Sequence, residues 1–128
     1  MKSRNISQFF FSKKLRLLSN NQFQCVYNKN YKIDIKSFIM LRCLNYLKFP
    51  RLGISIAKKN IMYAHDRNRI KRLIRESFRL IQHNLLLMDF IIIVKKNTHL
   101  LSNSNILRFL QKLWCYNNKN NFLNINKV

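Results

Sequence analysis

Arg67-Asn68-Arg69-Ile70-Lys71-Arg72-Leu73-Ile74-Arg75-Glu76-Ser77-Phe78-Arg79 repeats apolar residues at the spacing of one helix face and cations at the spacing of the next. At about 100° per residue, with Ile70 at zero, Leu73, Ile74, Ser77, Phe78, Leu80 and Ile81 fall within about 80° on either side. Asn68, Lys71, Arg72, Arg75 and Arg79 fall between about 100° and 200°. The spacing predicts a helix over 66–83, with one face in a core and a cationic stripe beside it. Arg67 stands at the helix start, where it can reach forward to a ligand. Arg69 and Glu76 flank the stripe on its far side. A solvated helix face ordinarily mixes signs, with Glu four residues before Lys or Arg. Within this stretch the only acid is Glu76. Crowded like charges at i, i+3 and i+4 destabilise a free helix, and arginine suits bidentate phosphate contact. The stripe therefore points to a polyanion.

The rest of the chain has the same bias. Its 128 residues carry 25 Lys and Arg against 4 Asp and Glu, a net charge of +21. One domain, 1–128, is expected at this length. Hydrophobic residues make up 48% and aromatic residues 12%, too much for a disordered polycation. Such a field needs a polyanionic partner, with nucleic acid first and an anionic membrane second. The membrane reading requires an apolar helix face left exposed, whereas this fold needs that face for its core. The acids are Asp34, Asp66, Glu76 and Asp89. Two-metal nucleases need clustered carboxylates and glycosidases a close pair. No catalytic residue is therefore assigned, and any chemistry is expected to belong to another molecule. Cys25, Cys43 and Cys115 are odd in number and lack C-x-x-C spacing, so buried reduced thiols are expected. His65, His83 and His99 lack ligand spacing, and no metal site is expected. The longest apolar block, 85–94, is short and interrupted by Asp89. It cannot span a bilayer.

Working outward from the helix, residues 1–18 form a basic arm with Phe9, Phe10 and Phe11, read as mature chain and irregular. Ser19 and Gln22 have the spacing of a capping box. They open a short helix to residue 28, with Phe23, Val26 and Tyr27 on one face. A loop over 28–34 leads to a strand at 35–44, where Ile35, Ser37, Ile39, Leu41 and Cys43 alternate with Lys36, Phe38, Met40 and Arg42. After a turn at 45–50, a strand over 51–57 runs into Lys58 and Lys59. Residues 89–94, apolar on both faces, predict a central strand parallel to a neighbour. A last helix begins near Ser102 to Ser104 and ends near 116, with Ile106, Leu107, Leu110, Leu113 and Trp114 as its stripe. The Asn-rich tail, 117–128, is expected to fray. The pattern is an α/β sandwich: a small mixed sheet with packed helices.

The quoted stretch resembles the R-N-R segment of the protein subunit of bacterial ribonuclease P. Phe11, Leu15-Arg16-Leu17-Leu18, Phe23 and Val26-Tyr27 are similar to that family's opening. Pro50-Arg51-Leu52-Gly53 with Ile56-Ala57-Lys58-Lys59-Asn60 resembles its RxGxxxxKK strand. Asp89-Phe90-Ile91-Ile92-Ile93 resembles its central strand, and Leu113-Trp114 its last helix. The match runs over about residues 9–116. Loop 28–34 and the tail depart from it.

The resemblance implies a ribosomal-S5-like α/β fold with a left-handed βαβ crossover through the R-N-R helix, a handedness rare in such units. It implies that the chain binds ribonuclease P RNA and precursor tRNA in a bacterial cytoplasm, and neither DNA nor membrane. The RNA, with its bound Mg²⁺, would remove the 5′ leader; the protein alone would bind no cofactor. Arg67, Asn68, Arg69, Lys71, Arg72 and Arg75 match the RNA-contacting motif, and Lys58 and Lys59 extend it. Phe23 and Tyr27 match positions lining a leader cleft, with Ile39 and Leu41 as its floor. Phe38, Met40, Phe78, Phe90 and Trp114 are read as core. A structural or ribosomal RNA-binding protein without a processing role is the alternative.

Overall fold

The computed structural model describes residues 13–119, apart from 18 and 29. Helix α1 (Asn20–Asn28) is followed by strands β1 (Tyr31–Ile35), β2 (Phe38–Leu44) and β3 (Arg51–Ser55). Helix α2 (Ala64–Ile81), strand β4 (Met88–Val94) and helix α3 (Asn103–Tyr116) complete the order. The strands form one mixed sheet in the order β1-β2-β4-β3. Only β3 and β4 are parallel, and α2 makes the crossover between them. The edge strand β3 meets Arg16–Leu17 through a short bridge, where the Leu17 amide donates to the Leu52 carbonyl at 2.9 Å.

The pleat sends alternate side chains to opposite faces. Phe38, Met40, Phe90, Ile92 and Leu52 join Ile70, Ile74, Phe78, Leu110, Leu113 and Trp114 in the main core, between the sheet and the pair α2 and α3. Trp114 sits edge-on to Phe78 and Phe90, with centroids 5.7 and 5.6 Å away. Its indole donates to Ser77 Oγ at 2.9 Å, satisfying the one polar atom such a ring buries. Leu41 and Ile91 face the other way and meet Leu17 and Val26 in a second cluster beneath α1.

Several expectations need correction. Half of the loop assigned to 28–34 is strand: β1 pairs with β2 as a hairpin turning at Lys36 and Ser37. Ser37 takes φ 77, a conformation that usually calls for Gly or Asn. Its carbonyl accepts from Lys95 N at 2.9 Å and Thr98 Oγ1 at 3.2 Å, which hold it there. The strand predicted over 51–57 ends at Ser55. Leu80, assigned to the core face, is exposed, because α2 ends one residue later. No disulfide joins the three cysteines, but Cys25 and Cys115 are exposed and Cys43 is half-buried. On α1 it is Val26 that turns inward. The basic arm is regular where it is described, with a turn of 3₁₀ helix over Lys13–Leu15 and both Leu15 and Leu17 buried. The tail does not fray at its start: Asn117 is fully buried, and its carbonyl accepts from Leu86 N at 2.9 Å. Phe9, Phe10, Phe11, Leu18 and residues 120–128 lie outside the described residues.

Candidate nucleic-acid interface

The capping box forms as predicted. Ser19 N donates to Gln22 Oε1, and Gln22 N to Ser19 Oγ, both at 3.2 Å. It fixes where α1 begins and so where Phe23 and Tyr27 stand. Their rings lie 6.5 Å apart at 29°. Phe23 is half-buried and Tyr27 is 39% exposed. A Cβ on Gly53 would stand 2.7 Å from the tip of the Phe23 ring. Glycine is required there for close approach, because any side chain would lift Phe23 off the sheet. Beside these rings lies a hollow of about 420 Å³ lined by Asn20, Phe23, Gln24, Tyr27, Ile54 and Ser55. Leu41 is sealed under α1 at 6% exposure and is not an open floor. Ile39, level with Ile93 and Ser55 across the sheet, keeps part of its surface.

A second hollow of about 210 Å³ opens along the edge strand, between Arg16, Phe23, Gly53 and Ile54 on one side and Lys71 and Arg75 on the other. Phe23 and Ile54 line both hollows. The aromatic cleft and the cationic stripe of α2 are therefore one continuous surface around β3. Lys58 and Lys59 are exposed in the turn just after β3. Asn60 Nδ2 ties that turn to the Val94 carbonyl at 3.2 Å.

The cations of α2 differ in what they touch. Arg67 does not reach forward. Its Nη1 turns back to the carbonyls of Ile61 and Met62, at 2.9 and 2.7 Å. Arg69 donates to the His99 and Leu101 carbonyls, at 2.8 and 3.4 Å, and to Asn103 Oδ1. It ties α2 to the start of α3. Both guanidiniums serve the fold. Arg79 pairs with Glu76. Asn68, Arg72 and Arg75 are exposed and Lys71 is half-buried, and among the described residues no acid pairs with Lys71, Arg72 or Arg75. Sequence reasoning missed Arg16, Ile54 and Ser55. A residue in a non-repeating arm carries no periodic signal; the Leu17–Leu52 hydrogen bond and the burial of Leu15 and Leu17 bring Arg16 to the cleft.

Three of the four acids pair with a cation, and the fourth, Asp66, lies beside an imidazole. Asp89 takes Arg51 bidentately, at 2.8 and 2.7 Å, and also accepts from Asn45 Nδ2 at 2.9 Å. Asp89 and its hydrogen bond hold the Arg51 guanidinium above its ordinary pKa. Asp34 pairs with Lys95, whose hydrogen bond holds that carboxyl below the usual range. Asp66 lies 3.5 Å from His65. Among the described residues no three His, Cys, Asp or Glu side chains gather as metal ligands, and no helix is long and apolar enough to cross a membrane.

Fold and surface together define a small, basic, nucleic-acid-binding α/β protein. Residues 11–116 match the family model described as Ribonuclease P. The chain belongs to the ribonuclease P protein family, the protein subunits of that ribonuclease. It is 50% identical over 104 residues to the ribonuclease P protein component of Baumannia cicadellinicola, covering 81% of this chain and 90% of the relative. It is 45% identical over 109 residues to that of a Buchnera aphidicola strain, covering 85% and 96%. The solved RNase P protein of Staphylococcus aureus superposes with a TM-score of 0.73 at 32% identity, over 77% of this chain and 90% of that one.

Proposed function

We propose that this chain holds the RNA subunit of ribonuclease P along α2 and guides the single-stranded leader of precursor tRNA into the cleft under α1. The RNA, with Mg²⁺ held by its phosphates, cleaves the leader. The observation that carries this reading is the sharing of Phe23 and Ile54 between the aromatic hollow and the cationic one. A strand of RNA can stack unpaired bases on rings, whatever their identity, while its phosphates meet arginine. Asn68, Lys71, Arg72, Arg75, Lys58 and Lys59 are the groups offered to the RNA subunit. Arg67 and Arg69 set the helix that presents them. With three acids paired to cations, Asp66 beside His65 and no cluster of metal ligands among the described residues, metal-assisted hydrolysis is left to the RNA. The setting is the bacterial cytoplasm, with neither DNA nor membrane as partner.

The test is a cleavage assay on precursor tRNA. Rigorously RNA-free protein should give no product, and adding it to its RNA should lower the Mg²⁺ and substrate concentrations required. Cutting by protein alone would overturn the division of labour. Binding without any change in the Mg²⁺ requirement would make this a structural RNA-binding protein.

Tyr27→Ala should cost on the order of 1–3 kcal/mol in precursor affinity. Mature tRNA, which has no leader, should bind the assembled enzyme almost as before. Tyr27→Phe keeps the ring and should be much milder. The ratio of precursor to mature affinity reports the effect, and a wild-type ratio in Tyr27→Ala returns the ring to a purely structural role.

A further inference from the structure

Tyr63 and His65 stand at the start of α2 with their rings stacked, centroids 5.7 Å apart and planes 20° from parallel. Nothing covers them among the described residues: Tyr63 is 61% exposed, the His65 side chain 79% and neighbouring Met62 72%. The backbone beneath them is held in place. Arg67 Nη1 bonds the Ile61 and Met62 carbonyls, and Arg67 N donates to the Tyr63 carbonyl at 3.1 Å. Tyr63 is the extended residue before the first helical turn and makes no side-chain cap. Apart from the 3.5 Å approach of His65 Nε2 to Asp66 Oδ1, the rings have no polar role in the helix, and they fill no core.

Their position on the helix is informative. His65 precedes Asn68 by three residues and Arg72 by seven, the spacing of one helix face. At about 1.5 Å per residue, it lies roughly 10 Å from Arg72 along the axis. The ring pair continues the line of the cationic stripe beyond its N-terminal end. Lys58 and Lys59, in the preceding turn, add positive charge in the same segment.

We infer that Tyr63 and His65 form a base-stacking platform for an unpaired nucleotide of the RNA subunit. This rests on the reading that α2 faces that RNA. A base does not slip between the rings, because that needs two layers of roughly 3.4 Å each and the centroids are 5.7 Å apart. It stacks on the outer face of the pair, whose rings already lie against each other. Phosphates on either side of that nucleotide then face Lys58, Lys59 and Arg72. Phe23 and Tyr27, on α1 beside Ile54 and Ser55, are offered to a different strand, the leader.

The experiment measures the affinity of the full-length protein for its own RNA subunit, over a range of salt concentrations. Tyr63→Ala should weaken binding about 5- to 100-fold, with the log–log salt slope unchanged, because no charge is removed. Tyr63→Phe should keep most of the affinity. Arg72→Ala, measured alongside, reports on the α2 reading itself, since it should lower the slope by nearly one. Wild-type affinity in Tyr63→Ala with a weakened Arg72→Ala overturns the platform and leaves the interface standing. Wild-type behaviour in both overturns the platform together with the α2 reading. A slope change in Tyr63→Ala, or a Phe variant as weak as Ala, overturns stacking as the cause. Both rings are exposed, and circular dichroism should match wild type; a lost fold would show them to be structural and also overturn the platform.

Discussion

Replacing Lys71, Arg72 and Arg75 together with Ala should lower the salt slope of RNA-subunit binding by about two to three. Each phosphate contact contributes roughly 0.7–0.9 to that slope through released counterions. Extrapolated from 1 M salt to about 0.15 M, the ionic part of the loss is on the order of a hundredfold. The three side chains face the cleft or solvent and pair with no acid, so the fold should tolerate their loss. Arg67→Ala and Arg69→Ala make the opposite comparison. Their guanidiniums are bonded to carbonyls at the ends of α2 and α3, so these variants should melt earlier while their slopes stay near wild type. Filter binding or fluorescence titration at several salt concentrations measures both. Equal slopes in the triple variant and the parent would mean that the stripe is only solvated.

The largest expected effect on stability is at Asp89. Its side chain is 7% exposed and takes two bonds from Arg51 and one from Asn45. Removing one member of a buried pair strands the other, at about 3–5 kcal/mol. Arg51 keeps some contact with water, with 19% of its side chain exposed, so Asp89→Ala should cost about 3 kcal/mol, at the lower end. For a chain of this size that lowers Tm by roughly 10–15 °C. Asp89→Asn keeps the shape and should cost less. Thermal melts followed by circular dichroism read both, and a shift within about 2 °C for the Ala variant would falsify the assignment.

The core of this fold was legible because α2 and β4 obey their periods. Eighteen residues of α2 repeat a hydrophobic face, and β4 is buried on both sides. β1 was not legible. Tyr31, Lys32 and Asp34 are exposed at the sheet's outer edge, and the turn after it uses Ser37, which carries no Gly or Asn signal. Asn117 reads as tail, yet its amide is held by the Leu113 carbonyl at 2.8 Å and its Oδ1 accepts from Arg42. Those partners are distant in sequence or sit in another element. The site followed the same rule. Periodicity gave the face on which each arginine of α2 stands. It could not show that Arg69 would find carbonyls 30 and 32 residues away.

Among the described residues the outer rim of β3 is an unfinished ladder, paired only briefly by Arg16. An open strand edge is a template on which another chain can add itself, and proteins discourage this with charge. Here Arg16, Lys71 and Arg75 surround the rim. On the proposed reading, the cations that would draw in RNA also repel a second copy of the same chain. Until RNA arrives, mutual repulsion keeps the edge unoccupied. On that reading, the bound polyanion would then cover the edge. The step most open to aggregation is therefore the stripped protein at high salt, where screening removes the repulsion and nothing has replaced it.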